Sequence, residues 1–312
     1  MHKSSRLAFN VKLAISVTVF LWSSAFVAIR TGLTSFSPGS LALFRFLIAA
    51  ICMTLIYFNL PKRNKISTID KLSMLLIGAF TLGGYHVALN YGEMTISAGL
   101  SSFVISLSPV VTTLLAIAFL REGINKLGVM GLCISTVGMV FILFGHDGNL
   151  NINMGLLYVM AATVSGSIFN VLQKPFLKKY SALEVTTYGI WGTMFTLGYY
   201  LPTFTHEVAQ ASWNAIFCGL YLGIIPTALA TVTWTYTLAA MPATRAINFI
   251  YFMPIITTGL GWLCLGEIPA VLSFVGGVIA LVGVWVVNRS YYHASKKEQQ
   301  AAPSAFLNEA GQ

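Results

Sequence analysis

The sequence predicts an all-α membrane protein: ten transmembrane helices arranged as two inverted five-helix repeats. Three observations lead there. Hydrophobic residues make up 56% of the 312 and charged residues only 9%, a balance far from that of a soluble domain. The chain repeats itself at an offset of 145 residues, with Tyr91, Ala98, Ile105, Pro109, Thr112, Thr113, Glu122, Gly131 and Gly138 recurring as Tyr236, Ala243, Ile250, Pro254, Thr257, Thr258, Glu267, Gly276 and Gly283. Basic residues, finally, crowd into alternate connections between apolar stretches, as the positive-inside rule asks of a multi-pass chain.

A membrane-crossing helix needs about 20 mostly apolar residues. Stretches of that kind lie near 11–31, 39–59, 72–92, 97–120 and 126–145, then near 154–173, 183–203, 213–237, 243–265 and 269–288. The first follows His2, Lys3, Arg6 and Lys12 as a secretory signal would. It is long for a signal core, however, and runs through Trp22 to Arg30 without a small-residue cleavage site, so it reads as the first permanent span. Turn chemistry separates the others: Ser37-Pro38-Gly39 precedes the second, Leu60-Pro61 follows it, Asp147-Gly148-Asn149 precedes the sixth, and Met241-Pro242 precedes the ninth. The offset pairs span four with nine and five with ten, giving repeats over 11–145 and 154–288. The polar, alanine-rich tail, 289–312, reads as disordered and cytoplasmic.

Charge sets the orientation. With the N-terminus inside, 16 of the 18 lysines and arginines fall on inside segments, leaving only Arg30 and Arg45 nearer the outside. Both termini are then cytoplasmic and the number of spans is even. Five spans per copy is odd, so the copies cross in opposite directions: Glu122 ends span four inside, and Glu267 ends span nine outside.

Several function classes are excluded. The net charge of +9 is a topology signal, because no basic stripe interleaved with aromatics exists for nucleic acid. Cys52, Cys133, Cys218 and Cys264 sit in apolar stretches without CxxC spacing, which speaks against a metal site or disulfide framework. No Walker-type phosphate loop, H-E-x-x-H or G-x-S-x-G run occurs, so an intramembrane enzyme lacks the groups its chemistry needs.

The segments Leu21-Trp22-Ser23-Ser24-Ala25-Phe26, Phe44-Arg45-Phe46 and Ser108-Pro109-Val110, with the Pro-x-x-Thr-Thr…Glu pattern ending each repeat, resemble EamA-type members of the drug/metabolite transporter superfamily over residues 11–288. The resemblance implies a ten-helix transporter in which spans one to four and six to nine surround a central cavity, with five and ten packed to one side. It also implies small organic cargo: amino acids, purine-like metabolites, vitamins, amines or drugs, often exported. The expectation is an inner-membrane exporter of amino acids or related zwitterions working by alternating access, as inverted repeats do. Amphipathic drugs or cationic and purine-like metabolites are the alternative cargo. No cofactor is expected. The expected partners are the solute, membrane lipids, protons as a candidate coupling ion, and a second copy in a homodimer.

Residues able to touch a solute are polar or aromatic groups placed within spans. Arg45 at membrane depth either faces the interior, where it can bind an anionic group, or snorkels to the outer headgroups. His86 and Asn90 share a helix face one turn apart, and Tyr91 adjoins them. His86 is either the proton carrier or a neutral histidine bonded between helices. Asn170 and Gln173 on span six, and Tyr188 and Trp191 on span seven, either line the cavity or bridge helices. Trp22, Ser102, Ser106, Asn248 and Tyr251 complete the candidate substrate-binding set. Pro109 and Pro254, which free a backbone carbonyl in each copy, are the candidate hinges. Glu122 and Glu267, at span ends, read as helix-capping or charge-pairing groups. The small faces Gly131, Ser135, Gly138 and Gly276, Ala280, Gly283 read as close helix packing, within or between protomers.

Overall fold

The computed structural model describes residues 2–147, 154–266, 272, 275–287 and 289–290. Readings that fall on Glu267, on the turn at Gly148-Asn149 and on the tail beyond Ser290 lie outside the described residues.

Among the described residues the structure is helical throughout. Helix α1 spans His2–Gly32, α2 Pro38–Phe58, α3 Thr68–Glu93 and α4 Ala98–Leu120, and α5 Lys126–Asp147. In the second half, α6 spans Met154–Gln173, α7 Ala182–Leu197, α8 Trp213–Ala240 and α9 Ala243–Leu265, and α10 is described over Val275–Val287. Seven of these, α1 to α4, α6, α8 and α9, are long and apolar enough to cross a membrane by length and composition. Helices α5, α7 and α10 are not among the seven. Helix α7 gives way at Gly198 to a 3-10 turn and then to a short helix, Leu201–Val208. Among the described residues, α5 and α10 contribute shorter apolar stretches, Lys126–Gly138 and Val275–Val287.

Serines start the helices. Ser67, Ser97 and Ser212 each accept the backbone N–H three residues on, at 3.1, 3.2 and 3.3 Å. Ser181 forms a capping box with Glu184. Each satisfies an amide that the helix itself leaves unpaired, which matters most where no water is near.

The duplication extends to backbone irregularities. A wide π-helical turn interrupts α3 at Gly78–Leu82 and α8 at Gly223–Leu229, starting 145 residues apart. Helix α4 breaks at Ser106-Leu107 just before Ser108-Pro109, and α9 tightens to a 3-10 stretch, Ile247–Phe252, just before Met253-Pro254. Long-range bonds recur too: Ser23 Oγ donates to the Met253 carbonyl at 3.4 Å and Ser167 Oγ to the Ser108 carbonyl at 3.5 Å, equivalent residues to within one position of the offset.

Helices α5 and α10 pack on each other along their small faces. Ser135 Oγ donates to the Ala280 carbonyl at 3.1 Å, and a Cβ on Gly138 would stand 2.4 Å from the Ala280 nitrogen. The small-residue seam is therefore filled within one chain.

Candidate functional site

A cavity of about 70 Å³ lies between the two copies. Its wall comes from six helices: Trp22 of α1; Leu82, Tyr85 and His86 of α3; Ile105 and Ser108 of α4; Gly166, Phe169 and Asn170 of α6; Thr231 and Trp234 of α8; Ile250 and Met253 of α9. Four pairs in this wall are repeat equivalents at an offset of 144 or 145: Trp22 with Gly166, His86 with Thr231, Ile105 with Ile250, and Ser108 with Met253. Corresponding surfaces of the two copies thus face the same space. Ile105 and Ile250 are identical but the other three pairs are chemically unlike, so the cavity is asymmetric although its scaffold repeats.

The wall is mostly apolar and aromatic. The Trp22 and Trp234 rings lie 5.2 Å apart. Trp22 Nε1 donates to the Pro226 carbonyl at 3.1 Å, within the wide turn of α8. Trp234 Nε1 donates to Asn170 Oδ1 at 2.8 Å, which leaves the Asn170 amide NH2 as the donor available to the cavity. His86 is wedged edge-on between Phe46 and Tyr85, with ring centroids at 4.8 and 4.7 Å, and its Nδ1 has no hydrogen-bond partner. Ser108 Oγ is likewise unpartnered. A small polar group entering here would meet Asn170, His86, Ser108 and Thr231, while an apolar body would rest on the indoles. That mixture is typical of sites for small organic ligands.

Of the residues singled out from the sequence, the structure brings Trp22, His86 and Asn170 to the cavity. The others are placed elsewhere: α2 and α7 do not contribute to the wall, and the remaining candidates on α3, α4, α6 and α9 lie outside it. Arg45 on α2 is 2% exposed, so it does not snorkel. Its Nε donates to Thr227 Oγ1 at 2.9 Å, one terminal nitrogen has no hydrogen-bond partner, and Tyr85, His86 and Glu93 stand within electrostatic range. It backs the His86 side of the wall. Its repeat equivalent is Gly189, so the cation belongs to one half only.

Tyr188 and Trp191 join Tyr57 and Phe58 in an aromatic cluster between α2 and α7, and Trp191 Nε1 donates to Thr54 Oγ1 at 2.9 Å. Asn90 donates to the Pro38 carbonyl at 2.9 Å and holds the start of α2. Ser102 and Ser106 return their hydroxyls to α4 carbonyls, at 2.7 Å each, and Ser106 also reaches the Ile250 carbonyl at 3.3 Å. Asn248 bonds back to the Thr244 carbonyl. Gln173 accepts from Thr235 at 3.5 Å. Tyr251 packs with Phe103, Ala280 and Val284 towards α10. Tyr91 is exposed, its ring against Tyr158. Pro109 and Pro254 sit immediately after the cavity residues Ser108 and Met253.

Sequence reasoning missed Tyr85, Phe169, Thr231 and Trp234. The repeat offset held part of the missing information, since adding 145 to His86 gives Thr231 and adding 144 to Trp22 gives Gly166.

At the end of the molecule remote from Arg30, Glu122 bonds the amides of Ala243 and Thr244 at 3.0 and 2.9 Å, capping α9. Lys174 donates to the carbonyls of Leu238 and Met241 at the end of α8.

Comparison with known proteins gives this architecture a family. The model of the EamA-like transporter family matches residues 11–144 and again 153–289, one match per copy. The chain is 33% identical over 277 residues to the uncharacterized transporter YdfC of Bacillus subtilis (strain 168), covering 88% of this chain and 90% of that protein. It is 32% identical to a probable terminal-alkyne amino-acid exporter of Streptantibioticus cattleyicolor, covering 88% of this chain and 92% of that protein. A solved crystal structure superposes with a TM-score of 0.69 over 88% of this chain and 95% of the other at 16% identity, a likeness of fold alone. With each helical copy matched separately and a third of its residues shared with a transporter along nearly the whole length of both, the chain belongs to the EamA-like transporter family of membrane transporters.

Proposed function

We propose that this transporter exports amino acids or related zwitterionic metabolites across the cell inner membrane, with both termini cytoplasmic and ten spans forming two inverted halves. The observation that carries the reading is the cavity itself. It lies where equivalent positions of the two copies meet, it offers an amide, an imidazole and hydroxyls beside two indoles, and a buried arginine stands behind one wall. Arg45 supplies the positive potential that a carboxylate would seek, and the apolar wall suits an aliphatic or aromatic side chain. The relative named as a probable amino-acid exporter supports the same cargo.

In this conformation the cavity, at about 70 Å³, is smaller than the roughly 150 Å³ that admits benzene. Loading therefore needs the halves to move apart, as alternating access supplies. The test is counterflow in proteoliposomes holding the purified chain alone. Exchange of neutral amino acids is expected. Exchange confined to organic cations or purines would favour the alternative cargo, for which the aromatic wall speaks, and no solute flux at all would remove the reading. His86 is the proposed proton-carrying group. Flux indifferent to an imposed pH gradient, in wild type and His86→Gln alike, would exclude that coupling.

A further inference from the structure

The two turns that join α3 to α4 and α8 to α9 are gripped in the same way. Lys174 donates to the Leu238 and Met241 carbonyls. Arg30 donates to the Glu93 and Ile96 carbonyls, at 2.5 and 3.3 Å. Arg30 and Lys174 are 144 residues apart, and the two carbonyl pairs are each 145 apart, so one arrangement has been kept in both copies through duplication and divergence. The chemistry suits it, because the last carbonyls of a helix lack partners and carry partial negative charge.

The turn between α8 and α9 is also held on its amide side. Glu122, from the other copy, accepts the N–H groups of Ala243 and Thr244 at 3.0 and 2.9 Å, the partly positive end of α9. Lys174 lies within electrostatic range of Glu122. The backbone that presents Glu122 is unusual: Arg121 is left-handed at φ 55°, and its equivalent Gly266 is left-handed at φ 70°. Both copies thus leave the helix before the glutamate in the same way. A cation that shapes a turn within its own copy, beside a carboxylate that crosses to the other copy, is a clasp that must open whenever the copies rock apart at that end.

We propose that Glu122, with Lys174 behind it, is the clasp that closes the cytoplasmic end of the transport path, and that Arg30 shapes the equivalent turn at the outer end. These are positioning residues, because none of them lines the cavity. The assignment of ends rests on the inverted arrangement proposed above.

The test uses the full chain with its four cysteines replaced by serine and Ser108→Cys as a reporter in the cavity, labelled by membrane-impermeant maleimide from either face of oriented vesicles. Glu122→Gln keeps the shape of the side chain but weakens its charge-assisted bonds. It should raise labelling from the cytoplasmic face about tenfold and lower it from the outer face. Lys174→Met should shift labelling the same way, Lys174→Arg should restore it, and Arg30→Met should shift it oppositely. A general loosening would raise labelling from both faces and overturn the proposal, as would unchanged labelling in Glu122→Gln. If Glu122→Gln and Arg30→Met both open the same face, the pairing of the clasps at opposite ends falls. Loss of counterflow specificity bears only on the cargo, so the two readings fail separately.

Discussion

Trp234 and Asn170 are locked together: the indole donates to the amide oxygen at 2.8 Å, and the Trp234 side chain is 1% exposed. This bond orients the amide so that its NH2 is left for the cavity, and it connects α8 to α6. Asn170→Ala removes the proposed solute donor and also orphans a buried indole N–H. It should raise the apparent KM about tenfold and cost about 1–3 kcal/mol of stability. Trp234→Phe removes the indole donor but leaves the Asn170 NH2 in place, so its effect on KM should be smaller. Counterflow kinetics and detergent thermal melts of both variants separate the two contributions. A larger KM effect for Trp234→Phe than for Asn170→Ala would contradict the orientation of the amide.

Arg45 stands in the repeat position that Gly189 occupies in the other copy, and both sites mark a close helix approach. A Cβ on Gly223 would lie 2.8 Å from the Arg45 carbonyl, and one on Gly78 would lie 2.0 Å from the Gly189 carbonyl. One half thus adds a guanidinium to a contact that the other half makes with bare backbone. A buried charge is kept at a cost in the membrane and is expected to serve transport. Arg45→Gln should raise the KM for carboxylate-bearing solutes more than for their amides. Arg45→Lys, which keeps the charge and loses the bond geometry to Thr227, should fall between. Equal KM values in wild type and both variants would rule out the electrostatic role.

The approach of α3 to α7 gives a stability prediction. A Cβ on Gly192 would stand 2.0 Å from the Leu75 carbonyl oxygen, whereas one on Gly198 would meet nothing within 4 Å. Backbone against backbone cannot yield as a flexible side chain can. Gly192→Ala should therefore destabilise by about 3 kcal/mol, while Gly198→Ala should be close to neutral. Detergent melting curves decide it, and equal melting temperatures for the two would refute the contact.

The frame was more legible in the sequence than the site. Hydrophobic periodicity and the identities at 145 residues spoke of helices and duplication, because apolar length and turn residues are local properties. The duplicated positions serve both packing and cavity: Ser135 meets its own equivalent, Ala280, across the α5–α10 seam, and the identical pair Ile105 and Ile250 lines the cavity. Which polar residues face the cavity was much less legible. His86 and Asn170 face it, yet Asn90, only one turn from His86, is taken up by the Pro38 carbonyl, and Trp191 by Thr54. A polar residue within a span must find a partner or a cavity, and the sequence does not say which. For Asn90 and Trp191 the answer lies in α2, which supplies both partners. Trp234 was not singled out, because nothing local to an apolar run marks which of its side chains faces a cavity.

Pro254 carries the last prediction. Having no N–H, it cannot give the carbonyl of Ile250 an i+4 donor; that oxygen accepts the Met253 N–H at the end of the 3-10 stretch and, as a second donor from α4, Ser106 Oγ at 3.3 Å. The bond crosses between the copies beside the cavity, where Ile250 itself is part of the wall. It can be exchanged during motion without breaking a regular helix, which fits a hinge. Pro254→Ala would add the i+4 donor that the Ile250 carbonyl lacks and stiffen α9. Turnover should fall several-fold while KM changes little, because the wall is unaltered. Ser106→Ala removes the crossing bond and should cost about 1 kcal/mol of stability. In the Pro254→Ala background its cost should shrink, since the restored N–H competes with Ser106 for the same oxygen. Additive stability losses in the double variant, measured by a double-mutant cycle, would show that Ser106 and Pro254 act independently and that the Ile250 carbonyl is not their link.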